Sequence, residues 1–215
     1  LPLHPWPAAP VRDDFSASTL ALPWNFLDFP QPGLFSLTER PGFLRLHGQE
    51  AGLVYSPRTA FVARRQTEWK GSATTRMEFD PFADNEEAGL AVFMSPDYHY
   101  EIYETRAGGK LSVALRKSVG DIRTVAATAE VGRGALLLKI EYDPEHYRFY
   151  YAGENGEWKL LGSGLERLIA SEVADVWSGA MIGLYSTGNG HAVAHPADFD
   201  WFDDRPVHVP YKPEF

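Results

Sequence analysis

The chain has 215 residues, of which 44% are hydrophobic and 13% aromatic, and its formal net charge is −9. This length suits one domain, or at most two small ones, with a sizeable core. The acidic balance argues against nucleic-acid binding, because phosphate contacts need a basic surface. No run of about 18 apolar residues is present to span a membrane. Without cysteine, disulfides, thiolate metal sites and cysteine nucleophiles are excluded, and the compartment stays undetermined.

The first twelve residues are rich in proline, with Pro2, Pro5, Pro7 and Pro10. Proline at this density favours an extended, semi-rigid spacer, although an ordered N-terminal arm is the alternative. We therefore expect residues 1–12 to be a linker that follows an upstream domain. Residues 13–206 are predicted to form the folded module and residues 207–215 a C-terminal tail. The start lacks the basic and apolar regions of a signal peptide.

From Asp13 onward the chain consists of short segments in which hydrophobic and polar residues alternate, a pattern typical of β-strands. Turn residues between the segments favour hairpins, and Asn155-Gly156 is the strongest hairpin signal. Only residues 164–173 look helical, for one or two turns. The pattern predicts an all-β fold, a two-sheet antiparallel β-sandwich. The principal segments lie at 42–48, 59–67, 72–80, 88–95, 98–105, 110–117, 121–128, 135–143, 146–153, 157–162, 178–187 and 197–204.

The last of these segments has a predicted partner at the start of the module. Strict alternation would place Phe199 and Trp201 on one face and Asp200 on the other. Neighbouring first and last strands are common in two-sheet sandwiches, so closure would bring Asp13 or Asp14 near Asp200. Carboxylates at a sheet edge suit calcium, which prefers oxygen ligands. These three residues are the candidate calcium ligands; in the alternative, Asp200 caps a turn or pairs with Arg205.

Several stretches together resemble one known family, and they follow the expected order over almost all of residues 11–204. They are "SLTERPGFLRL" (36–46), "FVARRQT" (61–67), "EEAGLAVF" (86–93), "SGAMIGLY" (178–185) and "ADFDWF" (197–202). These motifs resemble the C-terminal module of family 43 β-xylosidases and related arabinofuranosidases. The resemblance implies a concanavalin A-like sandwich (jelly roll) that is accessory and non-catalytic. It also implies a catalytic β-propeller as partner, whose pocket the module shapes, and contact with xylan or xylo-oligosaccharide.

In some members of that family an aromatic residue from one loop enters the catalytic pocket. The corresponding loop here is residues 171–177, immediately before the strand predicted at 178–187. Trp177 occupies the position where the family often has phenylalanine, and Val176 is its neighbour. The resemblance therefore marks both residues as candidates and leaves open which one would reach the pocket.

Further candidates for carbohydrate or interface contact come from residue chemistry. Trp24 and Asn25, predicted in a loop, combine an aromatic ring with a hydrogen-bonding amide, as sugar binding requires. Arg64, Arg65 and Gln66 follow each other on one strand, so alternation sends the two arginines to opposite faces. They are expected either to contact the propeller or a sugar, or to form an internal salt bridge with Glu78 or Glu101.

No set of catalytic residues stands out in the chain. Its 29 acidic residues guarantee chance pairs at the separation that a glycosidase needs, and no G-x-S-x-G motif indicates a serine nucleophile. We expect no hydrolysis by this chain alone. A free-standing carbohydrate-binding module and a stand-alone glycosidase remain the alternatives to an accessory module.

Overall fold

The computed structural model describes residues 10–54 and 58–208. Within them the chain forms fifteen strands, a 3-10 turn at Glu166–Ile169 and one single-turn helix, α1, at Ser171–Ala174. No helix in these residues is long and apolar enough to cross a membrane. The strands are β1 (Arg12–Asp13), β2 (Trp24–Phe26), β3 (Phe35–Ser36), β4 (Leu44–Leu46), β5 (Ala60–Arg65), β6 (Gly71–Glu78), β7 (Glu87–Ser95), β8 (Tyr98–Ala107), β9 (Lys110–Val119), β10 (Ile122–Glu130), β11 (Leu136–Tyr142), β12 (His146–Gly153), β13 (Lys159–Leu165), β14 (Met181–Thr187) and β15 (Ala197–Pro206).

The strands form two antiparallel sheets that face each other. The eight-stranded sheet has the order β13-β12-β11-β6-β15-β4-β3, with β1 also paired to β15, and the seven-stranded sheet has the order β10-β9-β8-β7-β14-β5-β2. The predicted two-sheet antiparallel sandwich is therefore confirmed. Two short helical turns occupy the region predicted to be helical, although β13 extends further than predicted, to Leu165.

The core lies between the sheets because alternate residues of each strand turn inward. In β11, Leu136, Leu138 and Ile140 are buried, whereas Lys139 between them is not. Burial of such apolar side chains is the dominant favourable contribution to folding. The strand alternation visible in the sequence is thus the pattern that separates the core from the surface.

The first and last strands are neighbours, as predicted. In β1, Asp13 pairs with Phe202 of β15 in antiparallel register. The expectation that Phe199 and Trp201 share one face is wrong, because a register shift between the two residues interrupts the alternation. A bulge of this kind adds a residue to one strand and re-aims the side chains that follow. Phe199 and Phe202 are buried in the core, and Trp201 pairs with Arg76 on the outer face.

Two further local predictions differ from the structure. Trp24 lies in strand β2, paired with Arg64 of β5, and not in a loop. The loop between β12 and β13 runs over residues 154–158, so Asn155-Gly156 does not form a two-residue hairpin turn. Two-residue turns occur instead between β7 and β8, β8 and β9, and β9 and β10. In the second of these, Gly108 and Gly109 both have positive φ angles, at 60° and 78°. Most of the predicted linker (1–9) and tail (209–215) lies outside the described residues.

A second, smaller hydrophobic cluster lies on the outer face of the seven-stranded sheet. It includes Phe61, Phe93, Tyr103 and Tyr185, and Leu53 packs among them from the segment between β4 and β5. Leu53 is only 2% exposed. The segment that contains Leu53 therefore covers part of this face and shields it from solvent.

Candidate functional site

One end of the sandwich gathers loops that are distant in sequence. Arg65 pairs with Met181, which places residues 66–70 beside residues 166–180; we call this region the Trp177 end. The amide of Val207 donates to the carbonyl of Lys70, at 2.7 Å. The Arg64 guanidinium donates to the carbonyl of Pro10, at 2.8 Å. The segments that lead into β1 and out of β15 therefore both lie at the Trp177 end.

Large hydrophobic side chains are exposed at this end. Leu22, in the turn before β2, and Trp177 are fully exposed, and Trp69 is 67% exposed. Val173 of α1 is also exposed. Single exposed apolar residues are common on protein surfaces, but a concentration at one end is typical of an interaction surface.

The structure distinguishes between Val176 and Trp177, the two candidates of the loop. Val176 packs against the core cluster, whereas Trp177 points away from the protein and is fully exposed. Only Trp177 is therefore available to a second domain or a ligand. Asp175, with φ 51°, ends α1 in the left-handed conformation. After this turn, the side chains of Val176 and Trp177 point in opposite directions.

A cleft of about 470 Å³ lies beside this loop. Its walls include Trp69, Glu68, Glu166 and Glu172. Burial, and then the charge of Glu172, raises the pKa of Glu166. The cleft thus offers one aromatic ring and several oxygen acceptors, groups that suit either sugar hydroxyls or a basic side chain.

Trp24 and Arg64 belong to the core, which corrects their assignment to a sugar-binding surface. Trp24 is 6% exposed, its ring lies 5.0 Å from that of Phe202, and its Nε1 donates to Asp13 Oδ2 at 2.7 Å. Arg64 stacks over the Trp24 ring at 4.6 Å and has Asp13 within 3.5 Å. The predicted internal partners of Arg64, Glu78 and Glu101, are wrong. Asn25 uses its amide to bond the carbonyl of Pro23.

Arg65 and Gln66 lie at the Trp177 end, and alternation does send Arg65 to the face opposite Arg64. Arg65 is exposed, and its Nη1 donates to the carbonyl of Gly179 at 3.2 Å. The Gln66 side chain accepts a hydrogen bond from the Tyr147 hydroxyl, at 2.8 Å. Both residues therefore support the loops of this end.

The three candidate calcium ligands do not fit a shared site. Asp13 is occupied by Trp24 and by the amide of Phe15, and Asp14 accepts from the amide and hydroxyl of Ser16. Asp200 instead contacts Arg76, at 3.2 Å, whereas Arg205, its predicted alternative partner, bonds Asp203, at 3.0 Å. Across residues 10–54 and 58–208, no three histidine, aspartate or glutamate side chains gather in a way that could hold a metal ion. Calcium binding stays a prediction that this geometry does not support.

A buried charge network on the outer face of the seven-stranded sheet was not predicted. Arg116 Nη1 donates to Glu87 and Glu101, at 2.8 and 2.7 Å. Burial opposes ionisation of Glu101, but the hydrogen bond from His99 and the charge of Arg116 outweigh it and lower its pKa to about 2. His99 places its two ring nitrogens against a carbonyl of Ser95 and the Glu101 carboxylate. The sequence signal was the row of polar residues at alternate positions of β8.

The opposite end of the molecule contains a cavity of about 1110 Å³. Its polar side chains are mostly bonded within the protein: His47 to Glu39, Asn189 to the carbonyl of Asn85, and His195 to the carbonyl of Asp80. Among the described residues that line it, none is a phenylalanine, tyrosine or tryptophan. The described lining therefore offers no phenyl, phenol or indole ring on which a pyranose could stack.

Comparison with known proteins places the chain in a family. Residues 12–204 match the family described as "Beta xylosidase C-terminal Concanavalin A-like domain". The chain is 36% identical, over 206 residues, to a non-reducing end alpha-L-arabinofuranosidase of Bacteroides ovatus, with 95% of this chain and 39% of that protein covered. It is 30% identical to a xylan 1,3-beta-xylosidase of a Vibrio species, covering 94% of this chain and 39% of that protein.

Solved structures agree with these sequence relationships. The family 43 protein of the Bacteroides ovatus xyloglucan locus matches 96% of this chain and 41% of its own, with a TM-score of 0.92 and 36% identity. A xylan beta-1,4-xylosidase from Bacillus halodurans matches 95% of this chain and 41% of its own, with a TM-score of 0.88 and 28% identity. The chain thus spans about two-fifths of the length of the relatives that it matches. It belongs to the family of β-xylosidase C-terminal concanavalin A-like domains, the C-terminal part of family 43 glycoside hydrolases.

Proposed function

We propose that this domain is a non-catalytic accessory module of a family 43 glycoside hydrolase of the β-xylosidase type. Its Trp177 end packs against the catalytic β-propeller of the same protein, and Trp177 forms part of the wall of the propeller's active-site pocket. The relatives that the chain matches are xylosidases and arabinofuranosidases of which it covers only about 40%, which leaves most of each relative for another domain.

The observation that carries this proposal is the position of Trp177. Its ring is fully exposed, at the same end of the sandwich as Pro10, where the polypeptide enters the module. A domain that precedes residue 10 is therefore tethered at the end of the module that carries this ring. The exposed Leu22 and Trp69 supply further apolar area, which a partner domain would cover.

Trp177 also suits contact with xylan or xylo-oligosaccharide at the pocket. An indole ring offers a flat apolar face on which the C–H groups of a pyranose can stack, and such rings contribute large contact areas at binding sites. The outer face of the seven-stranded sheet is a poorer candidate for sugar binding, because Leu53 packs over part of that face.

The test replaces Trp177 with alanine in the full enzyme that carries this domain and its propeller. We expect kcat/KM for an aryl xyloside to fall about ten-fold or more, because loss of a pocket wall misplaces the substrate. The melting temperature should change little, since no core contact is removed. Trp158→Ala is the matched control, because Trp158 is partly exposed and lies in the loop between β12 and β13, at the opposite end.

Two results would contradict the proposal. The first is unchanged kcat/KM for Trp177→Ala with a lowered melting temperature, which would make Trp177 a structural residue. The second is binding of xylan by the isolated 215 residues at a site that Trp177→Ala does not affect. That result would favour a free-standing carbohydrate-binding module.

A further inference from the structure

The position of the Trp177 ring depends on the backbone of its own loop. Because the side chain is fully exposed, it gains no packing within the domain that could fix its direction. Before the ring, Val176 is fastened by its contact with the core and by the hydrogen bond from its amide to the carbonyl of Ser171, at 3.3 Å. What holds the chain after the ring then decides where the indole lies.

The three carbonyls that follow Trp177 each accept a hydrogen bond from a different donor. The Ser171 hydroxyl donates to the carbonyl of residue 178, at 3.0 Å. Arg65 Nη1 donates to the carbonyl of residue 179, at 3.2 Å. The backbone amide of Gln66 donates to the carbonyl of residue 180, at 2.9 Å. Two of these three donors are side chains, and neither belongs to the segment that it holds.

The contact of Arg65 with the loop is specific. A Cβ atom added to Gly179 would lie 3.2 Å from Arg65 Nη1, so the guanidinium lies directly against the loop backbone. Within the described part of the chain, no carboxylate lies at salt-bridge distance from Arg65. The guanidinium therefore has the carbonyl of residue 179 as its acceptor. A charged donor makes a stronger hydrogen bond than a neutral one.

We propose that Arg65 and Ser171 are positioning residues that fix the Trp177 loop in the geometry that the active-site pocket requires. This inference rests on the proposed role of Trp177 and adds two residues that act only through it. A side chain held in advance by its surroundings contributes more to a site than one that must be ordered on binding.

A double-mutant cycle in the full enzyme tests the inference. We expect the double variant Arg65→Ala/Ser171→Ala to lower kcat/KM for 4-nitrophenyl β-xyloside by about ten-fold, because a misplaced contact group can cost up to about a hundred-fold. When Trp177→Ala is already present, the same two substitutions should cause no further loss, since coupled residues are not additive. Arg65→Lys and Ser171→Thr keep a donor at each position and should restore most of the activity.

Hydrogen exchange gives a readout that does not depend on turnover. In the double variant, the amides of residues 175–180 should exchange faster, with the other strands unchanged. Arg133→Ala serves as the matched control, because this exposed arginine lies at the other end of the domain, near Asp80.

Each alternative outcome has one meaning. A further loss of activity in the Trp177→Ala background would overturn the inference, because Arg65 or Ser171 would then act directly. Wild-type activity or unchanged exchange in the double variant, together with an impaired Trp177→Ala enzyme, would overturn the inference and leave the proposed function intact. An unimpaired Trp177→Ala enzyme would overturn both.

Discussion

The two outer faces of the sandwich carry the same kind of ion pair in opposite environments. On the seven-stranded sheet, Arg116 lies between Glu87 and Glu101, and the three side chains are at most 10% exposed. On the eight-stranded sheet, Arg76 lies between Glu78 and Asp200, whose side chains are 35% and 36% exposed. The distances are similar, at 2.7–3.2 Å.

The two networks differ in how much hydration their charged groups lose when the protein folds. Buried ions lose their hydration, so a buried network is tolerated only when every charge keeps its partner. Exposed ions remain hydrated, and their pairing adds little to stability. The comparison therefore predicts that equal substitutions on the two faces have very unequal effects on the free energy of unfolding.

The largest effect is expected for Arg116→Met. The substitution leaves two carboxylates buried without their cation, which costs about 3–5 kcal/mol of unfolding free energy. Denaturant unfolding of the 215-residue chain at pH 7 measures it. The variant Glu87→Gln/Glu101→Gln/Arg116→Met removes the unpaired charges and should recover part of the loss. A loss below about 1 kcal/mol would mean that solvent reaches this network.

An intermediate effect is expected at Glu104, a buried carboxyl group with no hydrogen-bond partner for either oxygen in the described residues. Burial, and then the charge of Asp80, raises the pKa of Glu104 from 4.5 to about 8. The folded state therefore holds a proton that the unfolded state releases above pH 4.5, and stability falls as the pH rises from about 4.5 to 8.

Glu104→Gln should remove this dependence on pH. The stability difference between the variant and the parent should grow by a few kcal/mol, roughly 1.4 for each unit of pKa shift, as the pH increases over this window. Denaturant unfolding between pH 5 and 8.5 measures the slope. The control is Glu130→Gln, because Glu130 is exposed and lies on β10, which is separated from the strand of Glu104 by β9. Parallel slopes for Glu104→Gln and the parent would show that Glu104 ionises normally.

The smallest effect is expected for Arg76→Met, the matched substitution on the exposed face. Its partners stay hydrated, so the loss should be about 1 kcal/mol or less. It should shrink further in 1 M salt, where the Debye length is about 3 Å. Unfolding at low and high salt, run beside Arg116→Met, makes the comparison direct. A loss equal to that of Arg116→Met would remove the distinction between the two faces.

Part of the candidate site could be predicted from the sequence because it depends on local order. The loop before β14 follows a short helical segment in the sequence, and Trp177 was identified there with one alternative, Val176. The choice between them required the structure, because the left-handed conformation of Asp175 decides which side chain points inward. Trp24 was misplaced for a related reason: β2 is only three residues long, too short for alternation to reveal it.

The sequence by itself determined the class of fold, because strand alternation and turn residues are local properties that each segment carries. The pairing of the two ends was expected from that class of fold, in which the first and last strands are commonly neighbours. Only the tertiary structure decided which charges meet. With 29 acidic and 20 basic residues, many pairings are compatible with the sequence, and Arg64 met Asp13 instead of Glu78 or Glu101. The bulge that turned Trp201 outward and the packing of Leu53 over part of the outer face of the seven-stranded sheet likewise depend on contacts between distant segments, which no local pattern encodes.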